Sequence, residues 1–573
     1  NDVCIVWILI LMALLVRLAL LALLRPTGAV TLALQGGGIR ALASDAGLVA
    51  GIARVSHLSH LSHNESIYKQ SGDSDQTKMD TLNVMRVLQN FDTVSSVSGS
   101  SWFAAELFFS NSFVELLKGI ASSPFTASVQ FDQQWIQPWL LATDVQEPKF
   151  DGIQSLVRLW VKLLLGTGDE DTIFLAQFFF ASGLSWNHFV DVLLKSTAGI
   201  SVNRQMGSTP VSGASHTWLV DHTVLLPTSG ACIRQGKLIF PRVTYGAAAD
   251  GVLPAYLPAK FSIKLGSGNS SAPLSYIAQP EEPIQFNFRG LCLGCGSASS
   301  GALYVDMANG SLINSTGAFP VVQTVAASSA VFGSAIGGFV FSEIAAQLTA
   351  EVAVWIGTKG FEAADELYDT LQSHVDADLM SELGKTAFHA LIDGGFSDGT
   401  GIAQAVSAGA SEVVVVLNSF STNQPEYVAQ LFQGGTVVKP AVPKELFPVF
   451  QSPSASAVQT AFTEFETLKL HNSSYLKVIA FGKIQATTAE NKFFGIQGGR
   501  DVTLNIINIC SELSIGFLAN FENYGHLVQE VALTISDPAN RDVVLSQLMP
   551  LFDSSLNSFR SFQSTPPLRR QFI

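Results

Sequence analysis

Apolar residues along this chain recur with two periods, and the period changes at glycines. AVTLAL (29–34) is rich in strand formers, and Leu42, Leu48, Val49 and Ile52 then fall at helical spacing within RALASDAGLVAGIARV (40–55). The stretch LQGGGIRAL (34–42) therefore predicts strand, glycine turn, helix. The same succession returns in FDTVSSVSGSSWFAAELFFS (91–110), with a strand reaching Val97, a corner at Ser98 and Gly99, and a helix with Phe103, Leu107 and Phe108 on one face. It returns again in TAFHALIDGGFSDGTGIAQAVSAGASEVVVVLNSF (386–420), whose last run reads as a buried parallel strand. Further strands are expected at YLKVIAFG (475–482) and VTLNIINI (502–509), with a closing helix over 541–563. The polar run NESIYKQSGDSDQTKMD (64–80) predicts an exposed loop.

Between about 115 and 320 the chain mixes apolar helices (VRLWVKLLLG), a Phe-rich patch (FLAQFFFASGL) and Gly/Ser loops, read as insertions and a cap. FPVVQTVAASSAVFGSAIGG (319–338) is apolar and rich in small residues, which suits tight packing near the core. No internal repeat or long linker interrupts the pattern. The expectation is an α/β fold with a central, mostly parallel sheet flanked by helices. A hydrophobic segment (1–28) precedes one domain (29–573) carrying the large inserted cap.

Composition narrows the class of function. At 47% hydrophobic and 14% charged, the 573 residues can build a sizeable core. A net charge of −14 and a pI near 5.2 argue against nucleic acid, which calls for clustered Lys and Arg, and against electrostatic adhesion to acidic lipid. Residues 3–24 hold one charge, Arg17, in an otherwise apolar run long enough to cross a bilayer core of about 30 Å. This predicts a signal anchor or a long signal peptide, hence a membrane-associated, single-pass or secretory protein. Five sequons, at Asn64, Asn269, Asn309, Asn314 and Asn472, barely exceed the chance expectation and add little to that. The pair Cys292 and Cys295 lacks a second pair or a nearby His, so no zinc site follows from it. No cofactor, metal or protein partner is expected, and no calcium-loop motif of the D-x-[DN]-x-[DN]-G kind is present.

The first glycine turn admits several chemistries. A phosphate-cradling P-loop needs a Lys and a hydroxyl residue that are missing here. A dinucleotide fingerprint can be written over Gly36, Gly38 and Ala41, but no acidic residue stands near Ser56 to hold a ribose. An oxyanion hole built from the N–H groups of Gly37 and Gly38 fits, provided that a nucleophile lies elsewhere. A turn without chemistry stays open beside it. Ser98, at a sharp strand-to-helix corner, is the candidate nucleophile, although Ser96 and Ser100 stand where the G-x-S-x-G elbow has glycines.

Four pieces of the chain resemble one family in its own order. SVSGSSW (96–102) is similar to the GLSGSTW run of the cytosolic phospholipase A2 and phospholipase B family. QGGGIRAL is similar to that family's GGGFRAM and to the DGGGIRG of patatins. AASSAVF (326–332) resembles the family's ASSAA segment, and IDGG (392–395) resembles the Asp-Gly-Gly that carries its catalytic aspartate. The resemblance spans about 29–420 and implies a patatin-like phospholipase fold and a serine acyl hydrolase acting on phospholipids or lysophospholipids. It implies Ser98 as nucleophile, Asp393 as its base, Gly37 and Gly38 as oxyanion donors and Arg40 as a phosphate contact. The partners it implies are a phospholipid substrate and a membrane surface. Gln35, where patatins have Asp, and Ser96 depart from the pattern.

Three alternatives remain on sequence grounds. Asp398 competes with Asp393 as the carboxylate. Ser98, Asp393 and His526 fall in the order of an α/β-hydrolase triad, although Gln35 stands where that family's oxyanion-loop His belongs. A membrane-tethered lipid-binding module that kept the pocket and lost the chemistry is the non-enzymatic reading.

Overall fold

The run Glu412–Ser419, EVVVVLNS, is β-branched and apolar on both faces, so it needs cover on both sides and sits deep in a sheet. A computed structural model describes residues 30–68, 82–142, 186–211, 213, 215–225, 232–234, 237–239, 256–268, 274–276, 303–306, 311–314, 320–329, 389–419, 425–433, 448–491, 494–513 and 521–553. The hydrophobic segment 3–24, the Cys292–Cys295 pair and the Phe-rich run 177–183 lie outside these residues. Among the described residues no helix is long and apolar enough to cross a membrane.

The strands that frame the site are β1 (Val30–Leu34), β2 (Thr93–Val97), β3 (Thr217–Leu225), β4 (Tyr256–Lys264), β5 (His389–Asp393), β6 (Glu412–Ser419), β7 (Leu476–Thr488) and β8 (Asp501–Ser511). They run in the order β7-β8-β6-β1-β2-β3-β5 within one sheet. Pairing is parallel from β8 through β6, β1 and β2 to β3, and antiparallel for β7 on β8 and for β5 and β4 on β3. The fold is thus mixed α/β with a central, mostly parallel sheet. From β1 the chain continues to β2 on one side, while β6 pairs with β1 on the other. In sheets of this kind the crevice at the carboxyl ends of such strands is where ligands bind.

The helices are α1 (Gly38–Tyr68), α2 (Gly99–Phe109), α3 (Asn111–Ser122), α4 (Trp186–Ala198), α5 (Val321–Ser328), α6 (Ile402–Ser407) and α7 (Phe521–Ser536). Successive residues of β2 show that they cover both faces. Ser96 Oγ reaches Ser101 of α2, whereas Ser95 Oγ donates to the Gly401 carbonyl ahead of α6.

Three expectations change. Helix α1 runs on to Tyr68 instead of giving way to a loop at Asn64, and 69–81 lies outside the described residues. Helix α2 has no exposed stripe, because all eleven of its residues are buried. The span read as insertion and cap contributes β3 to the central sheet, in register with β2 (Val94 opposite Trp218, Val97 opposite Asp221). It also contributes Leu116, Leu117 and Ile120 of α3 to the core.

Candidate active site

Register brings the candidate residues together. Strand β2 runs parallel to β3 and ends with Val97 opposite Asp221, while β5 runs antiparallel to β3 and ends with Asp393 opposite His222. The two strands therefore meet head-on at consecutive positions of β3. The chain leaving β2 makes its corner at Ser98 and the chain leaving β5 turns at Gly394.

At that junction Ser98 Oγ donates to Asp393 Oδ2 at 2.9 Å. Ser98 has φ 55° and ψ −129°, a conformation that a residue with a side chain rarely adopts. Such strain is characteristic of a nucleophile elbow, which projects a hydroxyl out of the sheet. Ser98 is the one residue from Thr93 to Phe109 that is not buried. Its amide donates to Ser328 Oγ at 3.1 Å, and Ser328 Oγ donates to the Asp221 carbonyl at 2.7 Å, so α5 and β3 brace the corner.

Asp393 spends its other oxygen, Oδ1, on the Gly395 amide at 2.8 Å. Burial, only partly offset by the Gly395 and Ser98 hydrogen bonds, raises its carboxyl from 3.8 to about 7. A carboxylate poised near neutrality suits a general base. Asp398 is spent elsewhere, since Oδ1 accepts from the amide and hydroxyl of Thr400 and Oδ2 from the Gln404 amide at the start of α6.

The glycine turn after β1 lies against the elbow. A Cβ on Gly36 would stand 2.7 Å from Ser98 Cβ, and one on Gly99 would stand 2.1 Å from the Gly38 carbonyl oxygen. Glycine at both positions lets the two backbones touch. Gly37 and Gly38 have positive φ (146° and 62°) and are partly accessible. The Gly36 amide donates to the Gly399 carbonyl at 3.2 Å, and among the described residues no acceptor takes the Gly37 or Gly38 N–H. The N-termini of α1 and α2, both favourable to negative charge, converge here beside the serine.

Two of the residues weighed in the sequence stand apart from the Ser98–Asp393 pair. Arg40 is 3% exposed, and its guanidinium donates to the Asn418 carbonyl at 3.0 Å and the Leu513 carbonyl at 3.3 Å. Burial pushes it down to about 10. Its charge faces the ends of β6 and β8, not an open headgroup site, so the phosphate contact implied by the resemblance is not what this geometry serves. His526 is exposed on α7 and stacks on Tyr475, and no imidazole stands between Ser98 and Asp393. His222, opposite Asp393 in register, is turned to the Val220 and Thr324 carbonyls.

Sequence reasoning passed over Ser328 and the buried group Asp45, Ser100 and Asn418. The small-residue run 326–332 held a signal for the first. The others look like ordinary helical or strand-end polar residues until burial is known. No known family model matches the chain, and no curated protein matches it. Among solved structures it is similar to the human GIVD cytosolic phospholipase A2, with a TM-score of 0.37 and 9% identity over 92% of this chain. The chain spans 63% of that structure's length. A likeness so distant carries no argument about chemistry, which rests on the geometry above.

Proposed function

We propose that this chain is a serine lipid acyl hydrolase of the patatin-like, cytosolic phospholipase A2 kind, working through a Ser98–Asp393 dyad and an acyl-enzyme. The observation that carries the reading is the direct 2.9 Å hydrogen bond from a strained, accessible serine to a buried carboxylate. In the first step Asp393 takes the Ser98 proton as Oγ attacks the ester carbonyl carbon. The tetrahedral oxyanion is held by the N–H groups of Gly37 and Gly38. Collapse breaks the ester C–O bond, and Asp393 returns the proton to the departing alcohol. Water, deprotonated by Asp393, then attacks the acyl-Ser98 carbonyl, and the fatty acid leaves as Ser98 recovers its proton.

The substrate class, a phospholipid or lysophospholipid at a membrane surface, is supported by the four ordered sequence pieces. With Arg40 buried, a neutral acyl ester fits the same dyad. The test is hydrolysis of a phospholipid, a lysophospholipid and a neutral glyceride by purified protein, alongside fluorophosphonate labelling of Ser98. Cleavage of the first two and labelling that is lost in Ser98→Ala are expected. Cleavage of glyceride alone would move the substrate class, and an unlabelled Ser98 with unchanged lipids would leave a lipid-binding module. His526→Ala should keep most of the activity, and its loss in a folded variant would restore the triad reading.

A further inference from the structure

Beneath the glycine turn, Asp45 of α1, Ser100 of α2, Asn418 of β6 and Gln35 form one buried hydrogen-bonded group. Each is at most 5% exposed. Ser100 Oγ stands 2.6 Å from the Gln35 carbonyl oxygen and 2.6 Å from Asp45 Oδ2. Asn418 Nδ2 donates to Asp45 Oδ1 at 3.0 Å and to the Gln35 carbonyl at 3.1 Å, and the Asn418 amide donates to Gln35 Oε1 at 2.7 Å.

The protons in this group must balance. A hydroxyl has one hydrogen, and a backbone carbonyl has none to offer. If Ser100 donated to Asp45, its oxygen would face the Gln35 carbonyl oxygen at 2.6 Å with no proton between them. If it donates to Gln35, the contact with Asp45 needs a proton on Asp45. Only the second arrangement satisfies both short contacts.

We propose that Asp45 is a positioning residue that acts in its protonated form, donating to Ser100 so that Ser100 holds the Gln35 carbonyl and thereby fixes the oxyanion turn. The Gln35–Gly36 peptide is the first of that turn. Its carbonyl is held by Ser100 and Asn418 and its amide by the Gly399 carbonyl. When Asp45 ionises, the carboxylate outcompetes the carbonyl for the Ser100 proton, because hydrogen bonds to a charged acceptor are the stronger. Gln35 is then left facing a lone pair, and the turn bearing Gly37 and Gly38 shifts.

The electrostatics agree with this geometry. Burial raises the Asp45 carboxyl to about 7, and the groups that act against the rise are Ser100 and Asn418. Arg40, five residues earlier on α1, is directed at the Asn418 and Leu513 carbonyls, and it is Arg40 that Tyr427, Tyr524 of α7 and Cys510 of β8 act on.

This inference rests on the hydrolase reading for its kinetic arm and not for its spectroscopic one. The rate of fluorophosphonate labelling at Ser98 is measured against pH for wild type, Asp45→Asn and Asp45→Ala. Wild type should give a bell with its acid limb from Asp393 and its alkaline limb from Asp45, cresting near pH 7. Asp45→Asn, whose amide donates as the acid does, should keep the neutral rate and lose the alkaline limb. Asp45→Ala should label about 10-fold more slowly near neutrality, as expected of a misplaced oxyanion turn. A wild-type profile without an alkaline fall, or an Asp45→Asn profile that keeps it, overturns the proposal. Infrared spectroscopy near pH 6 should show a protonated-carboxyl band in wild type that is diminished in Asp45→Asn, and an unchanged band overturns the proposal without reference to activity. If Ser98 takes no label in any variant, the hydrolase reading fails and the infrared comparison still decides where the proton is.

Discussion

Under the proposed dyad, replacing Asp393 by Asn removes the base while keeping its shape, and it should make the protein more stable as it abolishes the proposed hydrolysis. Asp393 is 3% exposed, and burial raises its carboxyl from 3.8 to about 7. In the unfolded chain the group titrates at its ordinary value, so between about pH 4 and pH 7 the folded state binds more protons than the unfolded one. The stability it contributes is therefore full below the unfolded value and is lost as pH rises through about 7. A shift of about three units corresponds to about 4 kcal/mol between the two ends of that window. Asn has no charge to bury, keeps an acceptor for the Gly395 amide, and offers Ser98 Oγ a donor. Denaturant unfolding of both proteins should then show Asp393→Asn ahead by about 2–4 kcal/mol at about pH 8.5, with the gap closing toward about pH 4. Hydrolysis or Ser98 labelling should fall by about 10²–10⁴ in the same variant, the usual worth of a general base. A variant less stable than wild type at the alkaline end, a gap that does not change with pH, or hydrolysis that survives would each refute the reasoning.

Two further outcomes follow from placement. Arg40→Ala removes a buried cation from two strand-end carbonyls, so it should cost about 1–3 kcal/mol in unfolding measurements and reduce cleavage of charged and neutral esters alike. A loss confined to phospholipids would mean that the guanidinium meets the headgroup after all. Gly99→Ala drives a methyl toward the Gly38 carbonyl oxygen, 2.1 Å from the ideal Cβ position, and both sides of that contact are backbone. Labelling of Ser98 should fall about 100-fold while circular dichroism keeps its α/β signature, and normal labelling would show that the two turns are not in the contact described.

The parts of this fold legible in sequence are those with a local signal. The shift from strand to helical spacing across Gly36–Gly38 and across Ser98 marks β1-α1 and β2-α2, because a change of period needs only neighbouring residues to be seen. Burial and register have no such signal. Nothing in WLVDHT (218–223) says that Asp221 will face Val97 and His222 will face Asp393, since both pairings are set by strands more than 100 residues away. The burial of Arg40 is equally silent in sequence, because a charge carries no mark of being buried. The single apolar face that Phe103, Leu107 and Phe108 suggest for α2 does not describe it, because the helix is covered all round and its serines and Glu106 are packed inside. Glu106 accepts from Trp135 Nε1 and Thr197 Oγ1, and burial lifts it to about 8.

The head-on meeting of β2 and β5 along β3 also has a kinetic meaning. Ser98 and Asp393 are 295 residues apart, and neither local helix formation nor collapse brings them within reach. Their hydrogen bond exists only once β3 has taken β2 at one half of its edge and β5 at the other. Pairings between distant strands must overcome the entropy of closing long loops before any contact rewards them, and they form late. During refolding, helical ellipticity should therefore return well before Ser98 becomes reactive to a fluorophosphonate. Ser98 is in that sense a clock for the last long-range step, and the delay between the two signals measures how long the finished helices wait for the sheet to close around its centre.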